Sequence, residues 1–282
     1  MRKRILNIFK AAKNKKVLVL ILLFILIVSF LVIWIFFIEP NLLIVKNLTI
    51  KDPELKGIRV AYLTDLHICQ NEKAYFLKLI KTVNEQNADI ILLGGDYVVV
   101  DMFMNKTMEA KEIAKLLTGL KAKYGVYMVM GNHELHGKSI KILSENLKDS
   151  NIKILQNSNV RIKIRDKSLT IVGIGDFTDR RHNIKKAFNN AEKPIIAFTH
   201  SPLIFKLIPN SVNMTFAGHT HGGQVYIPGL GPLAKPRGYK GIYNKGFYEK
   251  KGKTMFVSSG IGCSHLKARF FNLPEIVIAD FK

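Results

Sequence analysis

Residues 58–67 read IRVAYLTDLH, an apolar run broken by one arginine and followed at once by an acid and a histidine two apart. Ile58 to Leu63 suits a β-strand, with Asp65 and His67 just past its carboxyl end. The same grammar recurs downstream. Ile90 to Leu93 is a continuous apolar run, predicted as a strand covered on both faces, and Gly94-Gly95-Asp96 follows it. Val126 to Met130 is a third strand, leading into Gly131-Asn132-His133-Glu134. Between them, Ala74 to Gln86 places Phe76, Leu77, Ile80 and Val83 at helical spacing, and Glu109 to Leu120 reads as a second helix. Strand, helix, strand, helix, strand predicts a parallel βαβαβ unit.

The second half changes character. Val160 to Ile164, Thr170 to Ile174, Ile195 to Thr199, Met214 to Ala217, Gly223 to Ile227, Thr254 to Ser258 and Glu275 to Ala279 are strand candidates, several joined by tight loops. They suggest a second, largely mixed sheet, and with flanking helices one α/β domain. Two of these strands again end in ligand-type residues. His200 closes IIAFTH, and Gly218-His219-Thr220-His221 closes MTFAGHTH.

Open α/β sheets place their ligand sites at strand carboxyl ends. One such Asp or His is more often a helix cap or a hydrogen-bonded core residue. Recurrence at five successive strand ends, with glycines beside three, points to a built site. Carboxylates, imidazoles and one amide oxygen suit Mn, Fe or Zn, and the lack of thiolates argues against a structural zinc site. The set exceeds what one ion needs, so two divalent ions bridged by a carboxylate are expected, an arrangement suited to in-line phosphoryl displacement.

The order DxH, GGD, GNHE, H, GHTH resembles the calcineurin-like metallophosphoesterase superfamily. GGQVYIPGLGP (222–232), VSSGIG (257–262) and NLPEI (272–276) resemble its membrane-anchored YkuE-like branch, related to UDP-2,3-diacylglucosamine pyrophosphatases of lipid A synthesis. The resemblance implies a four-layer α-β-β-α sandwich of two mixed sheets over residues 55–282. It implies that Asp65, His67 and His221 hold one ion, that Asn132, His200 and His219 hold the other, and that Asp96 bridges them. His133 would protonate the leaving oxygen or stabilise transition-state charge, and Glu134 would shape its loop. Arg269 matches a basic position of the branch and is expected to meet a phosphate oxygen. His136 and His265 are further candidate substrate contacts, weighed against the plainer reading as exposed loop histidines. Lys235 and Arg237 are weaker candidates. Asp176 and Asp179, in GIGDFTDRR, read equally well as a turn or cap.

Val17 to Ile38 carries no charge and no proline. At about 1.5 Å per residue it spans about 33 Å, enough for a hydrocarbon core of about 30 Å. It is too long for the apolar region of a signal peptide, about 7–15 residues, so a transmembrane helix is expected. Arg2, Lys3, Arg4, Lys10, Lys13, Lys15 and Lys16 precede it without an acid. The positive-inside rule then leaves residues 1–16 in the cytoplasm and puts the catalytic domain outside. Residues 39–54 read as a linker.

The net charge of +22 favours anionic partners: membrane lipid, a phosphorylated small molecule or lipid-linked substrate, or nucleic acid. No nucleic-acid module or stacking motif supports a nuclease. A non-catalytic membrane scaffold is disfavoured, because every expected ligand is present. Cys69 and Cys263 are too few for a disulfide scaffold or a Cys-rich zinc module and are expected to stay unpaired. The expectation is a phosphodiester or pyrophosphate hydrolase of an envelope or lipid-linked substrate. UDP-2,3-diacylglucosamine is the most concrete candidate, although its cytoplasmic synthesis conflicts with an outward-facing domain.

Overall fold

A computed structural model describes residues 2–99, 107–135, 139–233, 236, 239 and 241–282. The apolar amino-terminal run is helical throughout. Helix α1 (Arg2–Ile33) passes into a π turn, Trp34–Ile38, and then a 3-10 turn, Glu39–Asn41. Among the described residues, 14–41 is the one helical segment long and apolar enough to cross a membrane. Its large side chains from Val17 to Ile33 are exposed.

The next segment corrects the expected linker. Residues 44–50 form strand β1 (Ile44–Ile50), which pairs in parallel with the last strand of the chain, Glu275–Phe281. Its signal in the sequence is faint because β1 is an edge strand, and only Leu48 along it is buried.

The βαβ series then follows. It comprises β2 (Arg59–Leu63), α2 (Lys73–Glu85), β3 (Ile90–Leu93), α3 (Ala110–Leu117), β4 (Val126–Met128), α4 (Ser139–Leu147) and β5 (Ile152–Ile154). The second half contributes β6 (Ser158–Ile164), β7 (Lys167–Ile174), the single-turn α5 (Ile184–Ala187), β8 (Ile195–Thr199) and β9 (Met214–Ala217). A two-stranded ribbon of β10 (Tyr226–Ile227) and β11 (Gly231–Pro232) stands apart from the large sheets, so the strand expected at 223–227 shrinks to two residues. Strands β12 (Gly246–Lys250), β13 (Lys253–Val257) and β14 (Glu275–Phe281) close the chain.

Two six-stranded sheets result, in the orders β1-β14-β2-β3-β4-β5 and β12-β13-β9-β8-β7-β6. Both are mixed: β14 runs antiparallel to β2, and β6 and β12 run antiparallel to their neighbours. The sequence suggested β14 for the second sheet. It instead crosses back to the first, between β1 and β2.

The two-residue period of a strand explains the layering. Val60 and Tyr62 on β2, and Ile90 and Leu92 on β3, face the second sheet and meet Ile196, Phe198 and Phe216 in one core. Their neighbours Ala61, Leu63, Ile91 and Leu93 point the other way, onto α2, α3 and α4. On the far side, Val172, Ile174, Ala197 and Val257 pack against α5 and the 3-10 segment Pro202–Leu207. The order of layers is helix, sheet, sheet, helix, with the principal core between the sheets. Each fully buried large apolar side chain there contributes roughly 1.5–3 kcal/mol relative to exposure.

Candidate metal centre

Every strand-end motif of the sequence arrives at one place, because β2, β3, β4, β8 and β9 present their carboxyl ends along a common edge. Asp65, His67, Asp96, His200, His219 and His221 are all buried. Five of these residues adopt left-handed backbone: Asp65 at φ 55°, His67 at 44°, Asp96 at 56°, His219 at 72° and His221 at 50°. Such conformations cost non-glycine residues of order 1–3 kcal/mol each and persist where the surroundings over-determine them.

The loops are stitched through backbone. The amide of Asp65 donates to Gly95 O at 2.9 Å and that of His67 to Asp96 O at 3.0 Å. Glu134 holds the third loop against the second: its carboxylate accepts from the amides of Asp96 (2.9 Å), Tyr97 (2.7 Å), Val98 (3.1 Å) and Gly131 (2.7 Å). Burial pushes this carboxyl up to about 7, against the amides that favour its charged form. Glu134 thus sets the loop. Gly131 is required here, because a Cβ would stand 2.2 Å from Asp96 Oδ1.

The imidazoles are oriented by carbonyls. His67 Nδ1 lies 3.0 Å from Val98 O and His200 Nδ1 lies 3.0 Å from Gly94 O. A carbonyl only accepts, so both Nδ1 atoms carry protons and both Nε2 atoms point inward. His67 Nε2 meets His221 Nε2 at 3.1 Å, and His221 Nε2 lies 3.4 Å from Asp65 Oδ1. Around His200 Nε2 stand Asn132 Oδ1 at 3.1 Å, His219 Nδ1 at 3.0 Å and Asp96 Oδ2 at 3.2 Å. Lone pairs converging in this way are satisfied only by positive charge, a proton or a cation.

Asp96 joins the two groups. Its Oδ1 accepts from the His133 amide at 2.9 Å. Its Oδ2 lies 3.2 Å from His200 Nε2, 3.7 Å from His67 Nε2 and 3.8 Å from His133 Nε2. Three overlapping donor sets follow, each with its ligand atoms within 4.8 Å of one another: Asp65, His67 and His221; His67, Asp96 and His133; and Asp96, His200 and His219.

The electrostatics agree with a cation site. Burial, with His133 beside it, drives His67 down to about 3, and burial with His200 does the same to His219. Burial and His67 hold His221 well below the ordinary imidazole value. These rings are neutral donors at pH 7, as ligation requires. Burial alone would raise Asp96, but the imidazoles of His200 and His133 outweigh it and hold the carboxyl low. Burial would likewise lower His200, and Asp96 overrides it upward. Burial leaves Asp65 raised to about 6. Buried carboxylates and neutral imidazoles with no thiolate fit divalent transition ions.

The sequence profile described as calcineurin-like phosphoesterase matches residues 58–223, which contain all five motifs. The chain belongs to the calcineurin-like phosphoesterase family. It is therefore a metal-dependent phosphoesterase, and its His and Asp clusters are suited to divalent metal. Among curated relatives, an uncharacterized metallophosphoesterase of Campylobacter jejuni, Cj0846, is 30% identical over 251 residues, or 84% of this chain and 63% of that longer protein. The uncharacterized metallophosphoesterase YkuE of Bacillus subtilis is 25% identical, covering 87% of this chain and 88% of its own. The UDP-2,3-diacylglucosamine pyrophosphatase LpxG of Chlamydia muridarum is 26% identical, covering 87% and 91%.

The phosphoesterase disposes of the remaining candidates unevenly. His265 is exposed at the mouth of the site, its ring 6.0 Å from that of His133. His136, Lys235 and Arg237 lie outside the described residues. Arg269 corrects the expectation of a phosphate contact. It is fully buried, and its guanidinium donates to the carbonyls of Asn272 (2.9 Å), Ser259 (3.0 Å), Gly260 (3.2 Å) and Gly262 (2.6 Å). It clamps the carboxyl-terminal loop rather than facing the site. Cys69 and Cys263 form no disulfide.

Asp176 takes the capping role its sequence allowed, and a cavity beside the site has no clear mark in the sequence. Asp176 is buried, its Oδ2 caps the Asp179 amide at 2.9 Å, and burial pushes its carboxyl up to about 6. A cavity of about 680 Å³ beside His219 is lined by Phe177, Thr178, Arg180, His182 and Tyr239 together with two leucines. His219 lines it too, and its other members come from segments distant in sequence that only the fold brings together.

Proposed function

We propose that the protein is a membrane-anchored, dinuclear-metal phosphohydrolase cleaving a phosphodiester or pyrophosphate bond in a lipid-linked or envelope substrate. The observation that carries this reading is the position of Asp96 Oδ2, shared between the His67 side and the His200 side of one buried cluster. On this reading Asp65, His67 and His221 hold one ion and Asn132, His200 and His219 hold the other, with Asp96 between them. Divalent ions bound there supply charge to neutralise phosphoryl oxygens and to activate water. On the same reading His133, buried 3.8 Å from Asp96 Oδ2, donates a proton to the leaving oxygen or stabilises transition-state charge. Thr64 and the His219 amide donate to the Asp65 carboxylate at 3.0 Å each and fix its orientation.

The membrane reading rests on α1 and on where it ends. Pro40, at the helix exit, lines the same crevice as His67, Cys69, His265 and Lys267. A substrate held by its lipid in the bilayer surface would meet the site there. The basic residues before Val17 orient α1 with its amino terminus in the cytoplasm. Residues 39–282 then form the extracytoplasmic catalytic unit, with β1 as part of it.

The LpxG relative makes UDP-2,3-diacylglucosamine the first substrate to assay. Full-length protein in detergent with Mn²⁺ is tested for UMP release, beside Asp96→Ala. Release that vanishes in the variant supports the pyrophosphatase reading and places the domain on the cytoplasmic face. No release, with hydrolysis of a simple phosphodiester retained, keeps the enzyme and moves its natural substrate to the outer face.

A further inference from the structure

The end of the membrane helix is bonded into the metal cluster, and the links can be followed atom by atom. Glu39 is buried, an expensive place for a carboxylate unless its oxygens are engaged. Both are. Oε2 accepts from Trp34 Nε1 at 2.7 Å, within the helix exit, and Oε1 accepts from the Asn272 amide at 2.6 Å, across the fold. The Asn272 side chain in turn donates through Nδ2 to the carbonyl of His221. It also packs on the next residue: a Cβ at Gly222 would stand 2.5 Å from Asn272 Oδ1. A second strap runs in parallel, with the Arg269 amide donating to Ile35 O at 3.0 Å.

The loop so held is one that needs holding. His219, His221, Gly222 and Gly223 all have positive φ, at 72°, 50°, 58° and 82°. His221 Nδ1 is buried without a hydrogen-bond partner among the described residues. Its ring is therefore not oriented in the way that Val98 O orients His67 and Gly94 O orients His200. What positions His221 is its backbone, whose carbonyl accepts from the Gln224 amide within the loop at 3.0 Å and, from outside the loop, from the Asn272 side chain.

We infer that Glu39 is a positioning residue for His221, so that the exit of the membrane helix is a working part of the metal site and not only a tether. The inference rests on His221 being a metal ligand. Groups that orient a ligand without touching the metal typically change metal affinity by about 10–100-fold when removed. Glu39→Ala should therefore weaken one of two bound ions by about that factor and spare the other, which His200 and His219 hold. Glu39→Gln keeps one acceptor of the two and should fall between.

The test is a Mn²⁺ titration of the full-length protein in detergent, with free Mn²⁺ read by electron paramagnetic resonance. Selective loss of one ion in Glu39→Ala is the expected result. Wild-type affinity at both positions, or equal weakening of both, overturns the inference. A complementary measurement needs no Glu39 variant. Trp34 is the sole tryptophan, and coupling between two sites is reciprocal. Zn²⁺ binding to the wild-type protein should shift Trp34 emission, and His221→Ala should abolish that shift. Emission unmoved by saturating Zn²⁺ overturns the relay even if the Glu39 variants fail to fold. His221→Ala binding both ions unchanged would remove the ligand assignment, and the relay with it.

Discussion

Asp96 is the residue on which the site depends, because one carboxylate oxygen faces imidazoles from both halves of the cluster while the other fixes the His133 loop. Asp96→Ala should lower hydrolysis of any substrate by at least ~100-fold and reduce bound metal, both read on purified protein by rate and by elemental analysis. Glu134 acts through backbone alone. In Glu134→Gln the amide would point NH₂ at amides that now find an acceptor. Each carboxylate oxygen accepts from two amides, so either orientation leaves two of the four unsatisfied, which should cost roughly 2–6 kcal/mol of stability, measured by denaturant unfolding; wild-type stability would refute the loop-setting role. Proton competition should appear through Asp65. Its carboxyl sits at about 6 in the ion-free fold, raised from 3.8, and must be ionised to ligate. Ion affinity should fall towards tenfold per pH unit below about 6 and be insensitive to this group above it. The ion-free protein should show the opposite trend. The stability that a raised carboxyl contributes is complete below 3.8 and is lost as pH rises through about 6. Metal titrations and melts at pH 5 and pH 7 separate the two effects.

At the scale of elements, legibility followed burial. The expected bounds of β3, β8 and β9 match those observed, since strands covered on both faces leave apolar runs interrupted by no more than a single threonine. The strand ends were legible for the same reason: once an apolar run stops, the polar residues after it stand out. Edge strands leave weaker marks. β1 buries only Leu48 and β12 has no buried residue, so neither was apparent in the sequence. β14 was visible as a strand but not its sheet, because its partners β1 and β2 lie more than 200 residues earlier and no local pattern names them. Arg269 carries the same lesson at the site. Its residue type suits a phosphate contact, and only the fold shows four carbonyls enclosing it. The core between the sheets offers a direct check on the layering. Phe216 of β9 stacks on Tyr62 of β2, ring centroids 5.3 Å apart. Phe216→Ala should cost about 3–5 kcal/mol, whereas the exposed Phe247 on β12 should tolerate alanine with a much smaller change.

For the whole molecule, a cationic chain carrying a long apolar helix presents a buried anionic-substrate site close to where that helix ends. The metal chemistry explains the internal arrangement, and the helix exit explains why the site stands beside Pro40. The central claim is that two ions share Asp96. It is tested most directly by counting tightly bound Mn²⁺ in the wild type and in Asp96→Ala while following hydrolysis of bis(p-nitrophenyl) phosphate. Two ions and Mn²⁺-dependent turnover in the wild type, with both reduced together in the variant, is the predicted result. One ion in the wild type, or turnover that survives in Asp96→Ala, would contradict the account.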